Sequence, residues 1–254
     1  MPRPPAIGLI SLCIIFSGAL LGMLIGRRLP SHHVSSETQT VITVSMAVVG
    51  TMTALMLGLL VSNASGAFDT VGAEVTQVSA DIIRLDRLLR RYGPEANPVR
   101  VALRRYPKMK FDDLFPSGLD KRPNVDNPAS VQMLEHVQNM ILALRPGDNQ
   151  QRWLSGQALQ VATEVSQRRW LIVQQNARTI PGPVLILIVF WLTILFASFG
   201  LFAPKNATAI VALFLCALAL SGGIAVVLAM DTPFEGIIRI SSAAMHHALE
   251  VISH

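Results

Sequence analysis

Residues 41–61 read VITVSMAVVGTMTALMLGLLV, twenty-one positions without a Lys, Arg, Asp or Glu. A helix of that length, rising about 1.5 Å per residue, crosses a hydrocarbon core about 30 Å thick. A helix inside a water-soluble domain rarely sustains such a run, so this stretch predicts a membrane span. Residues 7–26, 184–202 and 207–230 share the property. Composition agrees, with 51% hydrophobic residues, 15% charged residues and a mean hydropathy of +0.47, too apolar for an ordinary soluble domain. The expected fold is an all-α integral membrane protein: four transmembrane helices in two pairs, with a helical cytoplasmic domain between the second and third.

The first apolar block ends in Gly26-Arg27-Arg28 rather than in a small-residue cleavage site, so it is expected to be retained as a helix. The only two cysteines, Cys13 and Cys216, lie inside apolar blocks and point to no disulfide framework. Orientation rests on the bias of basic residues near membrane ends. Arg3, Arg168, Arg169, Arg178 and Arg239 lie on the side shared by both termini and the central segment, against Arg27, Arg28 and Lys205 on the other. The bias places the central segment and both termini in the cytoplasm.

Residues 64–182 hold sixteen of the 21 Lys and Arg and twelve of the 16 Asp and Glu, so this is where the chain meets water. Its basic surplus lacks the interleaved aromatics or motif of a nucleic-acid reader and fits a solvated face near anionic lipid. Within it, Val71, Val75, Val78, Ile82, Leu85 and Leu89 recur in alternating steps of four and three. That spacing predicts a long helix with a narrow packing seam, emerging from the second span and stopped by Gly93-Pro94. A second helix is expected from Pro98 to Tyr106, ended by Pro107, followed by an irregular loop to Pro128 that includes Ser117-Gly118. Residues 129–144 form the next amphipathic helix, closed by Arg145-Pro146-Gly147. Residues 151–178 repeat the narrow seam with Leu154, Ala158, Val161, Val165 and Ile172, interrupted at Arg168. The simplest packing sets this helix antiparallel to the helix over residues 71–89. The expected domains are 1–63 (spans one and two), 64–182 (cytoplasmic helices), 183–230 (spans three and four) and 231–254 (a C-terminal cytoplasmic helix).

No nucleotide loop, zinc-hydrolase, nucleophile-elbow or kinase motif occurs. The pairs His32-His33 and His246-His247 place adjacent side chains in different directions and have no accompanying carboxylate or Cys cluster, so no metal or cofactor and no catalytic residue is expected. The second span is more informative. Thr40, Thr43, Ala47, Gly50, Thr51, Ala54, Gly58 and Ser62 form a stripe of small and weakly polar residues at helical spacing. Such a stripe lets two helices approach closely, or it lines an uncharged, narrow pore built from several subunits. After the fourth span, Asp231-Thr232-Pro233-Phe234-Glu235-Gly236 carries a capping-box pattern: Thr232 as cap, Pro233 at the first helical position and Glu235 at the third. It predicts a helix starting at the membrane exit, with Glu235 paired to Arg239.

The second-span block running into Ser62-Asn63-Ala64, the stretch Asp81-Ile82-Ile83-Arg84-Leu85-Asp86 with Tyr92-Gly93-Pro94-Glu95, and the closing Met230-Asp231-Thr232-Pro233-Phe234-Glu235-Gly236 with Ile240-Ser241-Ser242 resemble the bestrophin-like domain-of-unknown-function family DUF4239 of bacteria. More remotely, the order of elements is similar to that of the bestrophins, pentameric anion channels whose second helix lines the pore. This sequence lacks their acidic calcium clasp and the spaced Phe residues of their neck. The resemblance implies a bacterial inner-membrane, multi-pass homo-oligomer, pentameric by analogy, which conducts inorganic ions through a pathway lined by Thr40, Thr43, Ala47, Thr51, Ala54, Gly58 and Ser62. Its partners are then the lipid bilayer, further copies of the chain and the ions themselves. The alternative is a non-conducting scaffold whose cytoplasmic helices bind a protein partner.

Overall fold

The computed structural model describes residues 4–29, 35–116, 123–176, 180–204, 206–236 and 238–253. His32-His33 and Ser117-Gly118 lie outside them, as do Arg3, Arg178 and Lys205 from the orientation argument. The described residues form eight α-helices and no strand: α1 (Pro4–Gly26), α2 (Ser36–Tyr92), α3 (Asn97–Leu114), α4 (Pro128–Leu142), α5 (Asn149–Asn176), α6 (Gly182–Phe202), α7 (Ala207–Met230) and α8 (Ala243–Ser253). Four of them, α1, α2, α6 and α7, are long and apolar enough to cross a membrane. The chain divides into two compact units, one of Met1–Gly66 with Thr179–Asp231, the other of Ala67–Arg178 with Thr232–His254.

The first unit is built on α1, α6 and α7. Ile15 and Ala19, Ile188, Leu192 and Phe196, and Ala217 and Ile224 form its core. Helices α1 and α6 touch backbone to backbone, because α1 presents Gly18, Gly22 and Gly26 at four-residue intervals. A methyl group on Gly18 would lie 2.8 Å from the carbonyl oxygen of Thr193, and one on Gly26 would lie 2.6 Å from that of Leu201. One on Gly22 would collide with the Ala197 carbonyl, and one on Gly200 with the Ala19 carbonyl. This is the small-residue mode of helix association, which a bilayer favours because lipid offers no hydrophobic drive between apolar helices. At the end of α6, Ala203 turns to extended backbone before Pro204; Asn206 then caps α7, its side chain accepting from Ala209 N at 2.8 Å.

The second unit packs the C-terminal part of α2 with α3, α4, α5 and α8. Every position of the expected seam, Val71, Val75, Val78, Ile82, Leu85 and Leu89, is buried, as are Leu154, Ala158, Val161, Val165 and Ile172 of α5. Polar contacts fix the antiparallel register of these two helices. Arg168 donates to Glu74 Oε2 and Asp81 Oδ2, both at 3.0 Å, Arg84 lies 3.7 Å from Glu164, and Gln151 Nε2 donates to Tyr92 O at 3.0 Å. Arg168, which interrupts the apolar pattern, is thus the residue that bridges the helices. Beyond Tyr92, Gly93 adopts φ 127°, a conformation that L side chains rarely adopt, and the chain makes a short 3₁₀ turn at Pro94–Ala96.

Helix α3 departs from expectation, running through Pro107 to Leu114 instead of stopping at Tyr106. Proline at 107 supplies no N–H to the Leu103 carbonyl four residues back. The helix nonetheless continues because Leu103, Tyr106, Lys110 and Leu114 share one buried face, and burying each large apolar side chain contributes about 1.5–3 kcal/mol. The expected loop is correspondingly shorter. Asn127 holds its far end, capping α4 through Ala129 N at 3.0 Å while its Nδ2 donates to Asp113 at 2.8 and 3.0 Å.

Lys110 is buried with α3, its Nζ donating to Val125 O at 2.6 Å. Burial pulls its pKa down to about 8, partly offset by Asp113. Between pH 8 and its ordinary 10.5 the unfolded chain carries a proton that the folded chain does not, so stability rises with pH across this window. The full rise is about 3 kcal/mol. Burial pushes the neighbouring Tyr106 phenol up instead, well above its ordinary 10.0, so above pH 10 Tyr106 works in the opposite direction. The parent protein is therefore expected to gain thermal midpoint from pH 8 to 10, and Lys110→Met should abolish that increase. An unchanged pH profile would show that Lys110 is solvated.

Candidate pore-lining face and membrane-exit segment

Residues 40–62 of α2 present three faces. Ile42, Met46, Val49, Met56, Leu57 and Leu60 are half-buried and Thr53 is buried; of these, Met56, Leu57 and Leu60 pack on the core of the first unit. A second face, Val41, Val44, Val48, Met52, Leu55 and Leu59, is apolar and 57–71% exposed. The third is the stripe of small residues. Thr40, Thr43, Ala47, Thr51, Ala54, Gly58 and Ser62 are all exposed, and only Gly50 is half-buried. Within the most apolar stretch of α2 only 6% of residues are buried, against 22–33% in the other three spans.

The chemistry of the stripe is mild. Thr40 Oγ1 donates to Ser36 O at 2.8 Å and Thr51 Oγ1 to Ala47 O at 2.9 Å. A hydroxyl that gives its proton to the carbonyl four residues back turns its oxygen lone pairs outward. The face is weakly polar and uncharged, and it has room: a methyl group added to Gly58 meets nothing within 4 Å. The other small-residue stripe of the first unit, on α1, is by contrast fully occupied by α6. Sequence reasoning overlooked that second stripe, although its signal, Gly18, Gly22 and Gly26, was in plain view.

The membrane-exit segment does not form the expected helix. Residues 231–236 are a turn in which Glu235 N donates to Thr232 O at 3.0 Å, and Ile240 N then returns to Pro233 O at 2.9 Å. Gly236 sits at φ 82°, and among the described residues that follow none is helical before α8 at Ala243, where Ser241 Oγ accepts from Ala243 N at 3.2 Å. The capping-box reading fails because Pro233 and Phe234 are buried rather than placed on a solvated first turn. Phe234 stacks edge-on to Phe115 at 6.0 Å, a favourable aromatic geometry. Glu235 and Arg239 are both exposed and form no ion pair among the described residues. Asp231, the last residue of the first unit, accepts from Ile180 N at 3.2 Å and so ties the exit of α7 to the entry of α6; burial pushes its carboxyl pKa up.

Four apolar spans in an all-helical chain define a multi-pass membrane protein. A family model for the bestrophin-like domain matches residues 13–245, and the chain belongs to the bestrophin-like family. Comparison with curated proteins and with solved structures gives no match.

Proposed function

We propose that the protein is a homo-oligomeric ion channel of the bacterial inner membrane, in which the small-residue face of α2 lines a central pathway. One observation carries this reading: α2 leaves Thr40, Thr43, Ala47, Thr51, Ala54, Gly58 and Ser62 exposed in the protomer, whereas the glycine stripe of α1 is used up in packing. In a ring of subunits these exposed faces converge on the axis, where an uncharged narrow lining gates by wetting and dewetting. In this reading residues 1–63 and 183–230 are the two membrane pairs, residues 64–182 and 231–254 are cytoplasmic, and five is the subunit number to test.

The experiment is mass measurement of the purified protein in nanodiscs, with planar-bilayer recording of the same sample. A closed ring passing single-channel currents is expected. Ala54→Trp or Thr51→Trp should abolish the currents and leave the ring intact. Unchanged currents overturn the pore assignment, and an electrically silent monomer favours the scaffold reading.

A further inference from the structure

The second unit carries most of the chain's charge, yet six positions along one exposed face of α5 are uncharged, with Arg152 beside them at the N-terminal end. On α5, Trp153, Gly156, Gln160, Thr163, Gln167 and Trp170 follow one another in steps of three and four, and all six are exposed. The two Trp side chains are large and lie 60% and 51% in solvent. This is a second heptad seam, on the opposite side of α5 from the one that packs in the core, and it extends over about 26 Å at 1.5 Å per residue. Solvated helix faces are charged; an uncharged seam with a Trp at each end has the composition of an interface core.

A matching surface lies on α2 of the same unit. Ala73, Gln77, Ala80, Arg84, Arg87 and Arg91 also alternate in steps of four and three, and all are exposed. The pairs Arg168 with Glu74 and Asp81, Arg84 with Glu164, and Gln151 with Tyr92 set the relative height of the two helices. At equal height, Trp170 is level with the small side chains of Ala73, Gln167 with Gln77 and Ala80, and Trp153 with Arg91. Large side chains on one seam thus stand level with small ones on the other, and the Trp153 ring stands level with a guanidinium, a favourable cation–π partner. Subunits related by a rotation axis along these helices meet at equal height.

We infer that the α5 seam of one copy packs on the α2 seam of the next, in a head-to-tail contact of the kind that closes into a ring. The inference rests on the homo-oligomeric reading above and adds the surface that joins the subunits. Its test uses chains in which Cys13 and Cys216 are replaced by Ser. One carries Ala80→Cys and another Gln167→Cys, and the two are expressed separately and together. Disulfide-linked dimers are expected on oxidation only when the two are coexpressed. A ring of normal mass without cross-linking overturns the seam and leaves the oligomer standing. Dimers from Gln167→Cys alone also overturn it, because they place two α5 seams face to face. A monomeric protein overturns the seam together with the homo-oligomeric reading.

Discussion

Gly22→Leu will prevent the first unit from assembling. The Cβ of any side chain at this position falls on the carbonyl oxygen of Ala197 and lies 2.8 Å from its carbonyl carbon and 3.0 Å from its Cα. Those atoms are helix backbone and cannot rotate away. Helices α1 and α6 would have to separate, and the contacts at Gly18, Gly26 and Gly200, which depend on the same close approach, would be lost together. Overpacking typically costs about 1–3 kcal/mol and occasionally more, and a clash with fixed helix backbone belongs at the upper end. The expected result is loss of the monodisperse peak when the detergent-extracted protein is chromatographed, with a smaller defect of the same kind for Gly22→Ala. Gly58→Leu is the control, since nothing stands within 4 Å of its added Cβ; the protomer should fold normally. Equal behaviour of the Gly22 and Gly58 variants would refute the backbone contact between α1 and α6.

Arg100→Ala should produce the largest loss of stability in the second unit. Asp86 is only 2% exposed. Arg100 donates to both of its oxygens, from Nε at 2.8 Å and Nη2 at 3.2 Å. Arg90, at 3.6 Å, is half exposed and contributes less. Removing Arg100 leaves a buried carboxylate with one loose partner, a change that costs about 3 kcal/mol. Lys at 100 should restore only part of this, because an ammonium cannot form the two-pronged contact. The double variant Asp86→Leu/Arg100→Leu removes both charges and should recover much of the loss, as buried pairs do when replaced by apolar residues. Thermal unfolding by circular dichroism distinguishes these outcomes, and a parent-like midpoint for Arg100→Ala would mean that Asp86 is hydrated.

The parts of the fold that were legible from residues alone are those written as long, regular patterns. Four uncharged runs named the spans, and the seam from Val71 to Leu89 named a packed helix face, because burial on one side of a helix imposes that spacing directly. Pro107 misled because a local rule about helix breaking competes with the burial of Leu103, Tyr106, Lys110 and Leu114, and the tertiary term is larger. The exit segment misled for the same reason: the capping pattern at Thr232 is a local preference, overridden by the burial of Pro233 and Phe234. The stripe on α2 was visible, but its exposure was not, since spacing alone does not say which of two small-residue stripes a neighbouring helix will occupy.

The ion pairs that join elements of the second unit have a common chemistry. Among the described residues, each such pair uses an arginine: Arg84, Arg100, Arg168 and Arg169 meet Glu164, Asp86, Glu74 with Asp81, and Asp126. A guanidinium does not surrender its proton at any pH a cell reaches. Each guanidinium also offers several donors in a rigid fork, so one side chain ties two acceptors at once, as Arg168 does with Glu74 and Asp81, and the clasps fix orientation as well as distance.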